Sequence, residues 1–233
     1  MLISGYRYFE TIPGAKEQVS YPFGYGLSYS DFEIDPGECS ISDWEVHLNA
    51  YVVNRSKRPG REVVQVYAEL PQGKLGKPAL TLVSFGKTRL LSEGEEEMLD
   101  LSFPLENLAS YDDEGKVQKS AWLLEAGDYE LCLGRNVRDL MKVPSSLRFR
   151  EEIVLEQLSE KCAPKKLSKR LRADGSFEAL KTQEYPERIL GLDMIPDLAS
   201  QSPSPAQRAV PSIQVHGPRA SQNQGIIHNH RMG

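Results

Sequence analysis

The side chains able to do chemistry are few and scattered in this 233-residue sequence. Three cysteines (Cys39, Cys132 and Cys162) are far apart and share no Cys-x-x-Cys spacing, so neither a disulfide framework nor a thiol redox motif is predicted. His228 and His230 flank one asparagine near the carboxyl end, but two histidines lack the third ligand and fixed geometry of a specific metal site. The sequence therefore predicts no cofactor and no metal ion.

One segment is typical of a binding or docking loop, namely Tyr21-Pro-Phe-Gly-Tyr-Gly-Leu-Ser-Tyr29. Its two glycines permit backbone conformations closed to other residues, and Pro22 fixes a turn. Two interpretations stay open. The preferred one is that the aromatic side chains pack into a crevice between domains; the other is that Phe23 or Tyr25 stacks directly on a sugar ring. The candidate junction or sugar-contact residues are Tyr6, Arg7, Tyr21, Phe23, Tyr25 and Tyr29.

Composition and charge exclude several classes of protein. Hydrophobic residues make up 39% and charged residues 26%, which is typical of a globular chain. The formal net charge of −5 gives no reason to expect a nucleic-acid partner. No run of about 18 apolar residues exists, so no membrane span is predicted. With no visible secretory signal and an odd number of cysteines, we expect a reducing, cytoplasmic location.

The carboxyl-terminal segment differs sharply in composition from the rest. The last acidic residue is Asp197, and residues 198–233 contain neither acidic side chains nor lysine. They are rich in Ser, Pro, Gln and Asn, and such a segment cannot bury enough surface to offset its ordering entropy. We predict a disordered tail over 198–233, and the abrupt change fits a frameshifted or truncated reading frame.

The middle of the chain predicts an all-β architecture. Trp44, Val46, Leu48, Ala50 and Val52 alternate with mostly polar neighbours, the period of a half-buried strand. Further strands are predicted over residues 62–68, 80–85, 99–103, 122–124, 129–133 and 147–149. Six or seven short strands separated by turns are typical of an antiparallel β-sandwich. The sequon Asn54-Arg-Ser56 falls in a predicted turn, and residues 105–111 are too short for more than one helical turn.

Several motifs resemble a known family. Gly5-Tyr-Arg-Tyr-Phe9 followed by the aromatic segment resembles the end of the α/β sandwich domain of glycoside hydrolase family 3. The following stretch resembles that family's fibronectin type III-like domain, an immunoglobulin-like sandwich. The motifs that carry this second resemblance are Pro59-Gly-Arg-Glu-Val-Val-Gln-Val-Tyr67, Lys77-Pro-Ala79, Leu82-Val-Ser-Phe85, Leu108-Ala-Ser-Tyr-Asp112 and Trp122 through Glu125-Ala-Gly-Asp-Tyr129.

A further stretch resembles the linker of circularly permuted members of that family. It comprises Lys161-Cys-Ala-Pro164 and Arg170-Leu-Arg-Ala-Asp-Gly-Ser-Phe177. In permuted members the α/β domain comes first, then the fibronectin-like domain, then a (β/α)₈ barrel. The resemblances divide the chain into a remnant of an α/β domain (1–30), a sandwich (31–155), a linker arm (156–197) and the tail.

The resemblance implies retaining β-glucosidase chemistry for a parent enzyme, with a carboxylate nucleophile and a carboxylic acid held about 5–5.5 Å apart. In the family the nucleophile lies on the barrel, which needs about 250 residues, and the acid/base residue precedes the Tyr-Arg-Tyr motif. Neither can be placed in this sequence, so no catalytic residue is predicted. Ser42-Asp43-Trp44 matches the tripeptide around the family's nucleophile, but Trp44 begins a predicted sandwich strand, so Asp43 is interpreted as a solvated strand-entry residue.

The leading functional expectation is a non-catalytic structural part of a family 3 β-glycosidase. Its partners would be the α/β and (β/α)₈ barrel domains of the parent enzyme, with carbohydrate as a further candidate and neither nucleic acid nor membrane. Two alternatives stay open: a free-standing carbohydrate- or protein-binding module, and one half of a split glycosidase completed by a separate barrel polypeptide.

Overall fold

The computed structural model describes residues 3–159, 168–180 and 213–217, and within them β-strands dominate as predicted. One short α-helix, α1 (Tyr6–Thr11), and two 3₁₀ turns (Ala15–Gln18 and Leu105–Leu108) complete the regular structure of the described residues. The strands are β1 (Phe32–Ser42), β2 (Glu45–Asn54), β3 (Val63–Glu69), β4 (Leu80–Lys87), β5 (Glu96–Asp100), β6 (Phe103–Pro104), β7 (Ser110–Asp112), β8 (Ala121–Leu124), β9 (Gly127–Asn136), β10 (Asp139–Phe149), β11 (Ile153–Gln157), β12 (Lys169–Leu171), β13 (Phe177–Ala179) and β14 (Gln214–His216).

Two antiparallel sheets form the sandwich. The first runs β1-β2-β5 with β6 also paired to β2, and the second runs β14-β10-β9-β3-β4. Because alternate residues of a strand face the same side, the apolar sets of both sheets meet in one core that includes Leu48, Val66 and Leu131, all fully buried. A small sheet, β11-β8-β7, adds Leu124 and Leu155 to that core. The predicted antiparallel β-sandwich is confirmed.

A tyrosine corner fixes the start of β9. The hydroxyl of Tyr129 donates to the carbonyl oxygen of Glu125 at 3.0 Å and accepts from the Glu125 N–H at 3.1 Å. The ring is fully buried and packs edge-on against Phe149. This back-bond over four residues locks the turn that leads into the strand, the arrangement typical of immunoglobulin-like sandwiches.

Strand β3 is buried on both faces, which explains its nearly continuous apolar sequence. Val64 and Val66 face the main core, whereas Tyr67 lies in a second cluster with Cys132 on the opposite face of the sheet. Tyr6 of α1 packs against this second cluster. Cys132 alternates with Leu131 and Leu133 along β9 and therefore faces away from the main core, and burial in the second cluster raises the pKa of its thiol to about 12.

The amino-terminal residues are more regular than expected. The sequence predicts an irregular remnant over 1–30, but α1 forms there and is docked on the sandwich by a buried carboxylate. Glu10 accepts from Arg138 Nε at 2.9 Å, and Lys16 Nζ lies 3.4 Å from its other oxygen. Local pattern misses this helical turn because its stability comes from these long-range contacts rather than from six residues of local propensity.

Strand β1 is a second element that local patterning misses, because Pro36 and Gly37 interrupt it and a register irregularity follows them. It joins β2 through the two-residue turn Asp43-Trp44, in which both residues have positive φ (49° and 65°). Two positive φ angles are the mark of a type I′ hairpin, whose twist matches that of the strands. The 3₁₀ turn Leu105–Leu108 confirms the single helical turn expected there.

Parts of the predicted arm and tail are described. In the arm, β12 and β13 form a hairpin, and its buried Arg170 pairs with Asp113 and Glu114 of the sandwich. In the segment predicted to be disordered, β14 pairs with β10, so that prediction is wrong for these three residues. The prediction of disorder rested on composition, and it overlooked that Ile213 and Val215 alternate with polar residues. The rest of the predicted linker arm and of the predicted disordered tail lies outside the described residues, in the ranges 160–167, 181–212 and 218–233.

None of the helices described is both long and apolar enough to cross a membrane.

A candidate junction surface formed by an aromatic loop

The base of the aromatic loop (residues 21–29) is anchored to the five-stranded sheet. The ring of Phe23 stacks on Tyr6 of α1, with centroids 4.2 Å apart and planes inclined by 15°. The carbonyl oxygen of Phe23 accepts from the Val137 N–H at 3.0 Å. Gln65 Nε2 donates to the Gly24 carbonyl at 3.3 Å, and Gln65 Oε1 accepts from the Tyr67 hydroxyl at 2.6 Å. Tyr6 and Phe23 are thus brought together as anchors.

Gly24 is required at this anchor for two reasons. Its φ is +82°, in the left-handed region that residues other than glycine rarely adopt. A Cβ at this position would also lie 2.2 Å from Gln65 Oε1, far inside van der Waals contact. The glycine therefore lets the chain run directly over Gln65 and turns the rest of the loop outward.

The outer part of the loop projects into solvent. Tyr21 is 67%, Leu27 90% and Tyr29 91% exposed. The rings of Tyr21 and Tyr25 contact each other at 5.0 Å between centroids, and Arg58 lies over the Tyr29 ring at 5.9 Å. Isolated exposed apolar side chains are normal, whereas larger exposed apolar patches are typical of interaction surfaces. We call residues 21–29 together with Arg7 the junction surface.

Arg7 adds a cation beside the loop. Its guanidinium carbon lies 5.7 Å from the Tyr6 ring centroid, a cation–π arrangement. Its Nε is buried and has no hydrogen-bond partner among the described residues. An unsatisfied buried donor costs about 1–3 kcal/mol, so this atom is suited to an acceptor supplied from outside the described part of the chain.

Sequence reasoning missed Arg58, Gln65 and Val137 as contributors to this surface. They lie 29 or more residues from the loop in sequence, and no local pattern connects them to it. The motifs Gly5–Phe9 and Tyr21–Tyr29 did indicate the anchoring residues, because each motif supplies one ring of the Tyr6–Phe23 stack.

The acidic residue of the Ser-Asp-Trp tripeptide lies at the surface of the sandwich. Asp43 is exposed in the β1–β2 turn. Beside it, Ser42 Oγ contacts His47 Nε2 at 2.9 Å, and His47 Nδ1 contacts Ser102 Oγ at 3.3 Å; Ser102 donates in turn to Asp100. No sequence pattern indicates this series of hydrogen bonds. It is open to water and connects the hairpin to the end of β5.

The other chemical motifs contribute to folding or lie outside the described residues. The side chain of Asn54 is fully buried and donates to the carbonyl oxygens of Arg58 and Leu91, both at 2.8 Å, which confirms the predicted turn. Among residues 3–159, 168–180 and 213–217, no three His, Cys, Asp or Glu side chains are grouped to hold a metal ion. His228, His230 and Cys162 lie outside these ranges.

Comparison with known proteins defines the class. Residues 62–137 match the family described as the fibronectin type III-like domain, in agreement with the two-sheet sandwich and the tyrosine corner. The chain is 47% identical over 195 residues to β-glucosidase A of Butyrivibrio fibrisolvens, covering 77% of this chain and 24% of that protein. It is 40% identical over 196 residues to a β-glucosidase of Ruminococcus albus, covering 82% of this chain and 20% of the relative.

Solved structures agree. A β-glucosidase from Paenibacillus barengoltzii superposes with a TM-score of 0.69 at 38% identity, over 81% of this chain and 22% of that one. β-Glucosidase 3B from Thermotoga neapolitana, in complex with α-D-glucose, superposes with a TM-score of 0.57 at 36% identity, over 65% of this chain and 20% of that one. The chain is therefore a homologue of the family 3 β-glucosidases and carries their fibronectin type III-like region. It spans about a fifth to a quarter of the length of these relatives.

Proposed function

We propose that the chain serves as a non-catalytic structural part of a family 3 β-glycosidase, docking through the junction surface onto the α/β and barrel portions of the parent enzyme. The observation that carries this proposal is the aromatic loop: it is rigidly anchored at Phe23 and Gly24, yet presents apolar side chains to solvent. Rigid anchoring with exposed apolar tips is the expected form of an interface whose partner is another domain.

Two further observations support a protein partner. The buried, unsatisfied Nε of Arg7 needs an acceptor, which a backbone carbonyl or carboxylate of an adjacent domain would supply. Arginines also accompany the tyrosines, with Arg58 over Tyr29 and Arg7 over Tyr6, and both residue types are enriched at interface cores. Hydrolysis of β-glucosides would then belong to the assembled enzyme, and the permuted domain order is part of the same proposal.

A chimera tests the proposal directly. Residues 5–150 of this chain would replace the aligned segment of Butyrivibrio fibrisolvens β-glucosidase A, and hydrolysis of a chromogenic aryl β-glucoside would be measured. We expect an active chimera. Replacing Tyr21, Tyr25 and Tyr29 by serine should lower its activity and stability, whereas Phe85→Ser, at an equally exposed site on β4, should not. A folded but inactive chimera, or equal effects of the loop and control variants, would contradict the proposal.

A carbohydrate-binding module is the second candidate, favoured by the exposed contact between the Tyr21 and Tyr25 rings. Exposed aromatic rings can stack on the apolar face of a sugar. Retention of the isolated chain on insoluble β-glucan, abolished by Tyr25→Ala and unaffected by Phe85→Ala, would support this function over the structural one.

The isolated chain should not hydrolyse aryl β-glucosides. Turnover that disappears in an Asp43→Asn variant would show instead that the exposed hairpin carboxylate acts as a nucleophile.

A further inference from the structure

The five-stranded sheet has two edges, and each is covered in a different way. At the β4 edge, the Leu82 N–H donates to the Tyr6 hydroxyl at 2.8 Å, and the Ala79 N–H donates to Thr11 Oγ1 at 2.9 Å. Side chains of α1 thus satisfy backbone donors at that edge. On the opposite side, the sheet continues from β10 into β14. An uncovered edge strand is a template for pairing with another chain, so the covering of β10 matters.

The longest regular stretch of β10 is its carboxyl-terminal part. Pro144 removes a backbone donor in the middle of the strand, and the pairing of β10 with β9 is irregular between Lys142 and Ser146. Proline and bulges blunt edge strands in this way. From Ser146 the ladder with β9 is regular again through Phe149. A strand joining from outside therefore has residues 146–149 to pair with.

The segment 213–217 fits that edge in both backbone and side chains. Its strand β14 runs antiparallel to β10, with Leu147 opposite Val215 and Arg148 opposite Gln214. Ile213 and Val215 pack against the main core, whereas Gln214 and His216 are exposed. This alternation is that of a strand with one buried face, although the surrounding composition predicts disorder.

The contact between β14 and β10 is short, and it leaves space beside the strand. Only three residue pairs join β14 to β10. An open cavity of about 590 Å³ lies beside the strand, lined by Arg148, Phe149, Arg150 and His216 among others. A contact of this size stabilises little on its own, so the strand can leave and another can enter.

We propose that residues 146–149 form an acceptor site for an extended strand, that residues 213–217 occupy it in cis, and that it accepts the same segment from a second copy of the chain. Exchange of an identical element between copies needs no new contacts. Residues 213–217 thus cover the β10 edge of their own sheet. When they are displaced from it, they become the donor strand of a strand-exchanged dimer. This proposal is independent of the role proposed for the junction surface.

Hydrogen exchange on the full chain tests the occupancy in cis. The Val215→Asp variant places a charge against the core and should release the strand, so those amides of residues 146–148 that point towards β14 should exchange at least about tenfold faster. The Gln214→Asp variant changes a neighbouring exposed side chain and should leave this protection unchanged. Far-UV circular dichroism and the unfolding midpoint show whether both variants keep the sandwich. Equal protection in the two variants would overturn the proposal.

A labelled peptide tests acceptance from a second copy. A fluorescent peptide of residues 211–219 should bind the Val215→Asp chain more tightly than the unmodified chain, in which the site is already filled. The same peptide with Ile213→Asp and Val215→Asp should not bind. If the unmodified peptide binds the two chains equally, or binds no better than the doubly substituted peptide, residues 146–149 are not an acceptor site.

Discussion

Lys77 Nζ lies 2.9 Å from Glu125 Oε2, and both side chains are almost completely withdrawn from water. Lys77 also lies 3.4 Å from the Tyr129 hydroxyl, while the second oxygen of Glu125 accepts from the Lys74 N–H at 2.6 Å. Burial lowers the pKa of Lys77, and the hydrogen bond and charge of Glu125 oppose that shift. The pair holds the loop between β3 and β4 against the tyrosine corner, so it couples two turns of the sandwich.

Removing one member of this ion pair should lower the free energy of unfolding more than replacing both members by apolar residues. Lys77→Ala leaves a buried carboxylate without its partner, and we expect a loss of about 3–5 kcal/mol in the free energy of unfolding. The double variant Lys77→Met/Glu125→Leu removes both charges at similar volume and should lose much less. Urea denaturation of the single and double variants measures the difference. A double variant as unstable as Lys77→Ala would contradict this account.

Asp112 should make the sandwich sensitive to acid. Its carboxylate accepts from the backbone N–H groups of Glu114, Gly115, Val117 and Gln118 at 2.7–3.2 Å. Burial alone would raise the pKa of Asp112, but these donors together lower it. The unfolded chain therefore binds this proton more tightly, and the stabilisation, complete above about pH 4, is lost as the pH falls through the lower folded-state pKa.

The Asp112→Asn variant is the matched test of that pH dependence. Hydrogen bonds to a charged acceptor contribute about 1.5–3 kcal/mol each, so the variant should be less stable at pH 7 by about 2 kcal/mol or more. It should also lose part of the decline in stability below about pH 4. Unfolding midpoints measured from strongly acidic to neutral pH follow both effects, and parallel curves for the two proteins would show that Asp112 does not carry the pH dependence.

The anchor of the aromatic loop predicts a contrast between its two glycines. Gly24→Ala combines a positive φ with a Cβ that would overlap Gln65, so we expect a loss of about 1–3 kcal/mol and faster proteolysis of the loop. A methyl group at Gly26 would meet no atom within 4 Å, and Gly26 has no positive φ, so Gly26→Ala should be close to neutral. Thermal unfolding and limited proteolysis compare them; equal sensitivity would place the constraint elsewhere.

Docking of α1 should depend on a buried ion pair rather than on surface charge. Arg138→Ala leaves the buried Glu10 carboxylate with only the more distant Lys16 ammonium, and we expect a loss of about 3 kcal/mol. Arg55→Ala breaks a pair with Glu33 in which both side chains are about half exposed, and it should cost at most about 1 kcal/mol. Similar losses in chemical denaturation would mean that α1 is not held by its buried carboxylate.

Local periodicity was sufficient for the strands with one buried face. The alternation through Val46 to Val52 and through Tyr129 to Leu133 predicts β2 and β9, because side chains of a strand alternate between core and solvent. It was insufficient for β1 and β14. In β1 the proline and glycine mask the period, and in β14 only Ile213 and Val215 carry it; both strands form because an existing edge supplies their hydrogen-bond partners.

The sequence by itself determined the antiparallel sandwich, its tyrosine-rich loop and the resemblance to one region of family 3 β-glucosidases, since these depend on residue order and short-range pattern. Only the tertiary structure decided which aromatic residues anchor and which project. Phe23 is fixed by Tyr6 and Val137 and the adjacent Gly24 by Gln65, three residues from separate segments, whereas Tyr29 remains exposed. Contacts between residues far apart in the chain depend on how the sheets pack, and periodicity along one strand carries no record of that packing.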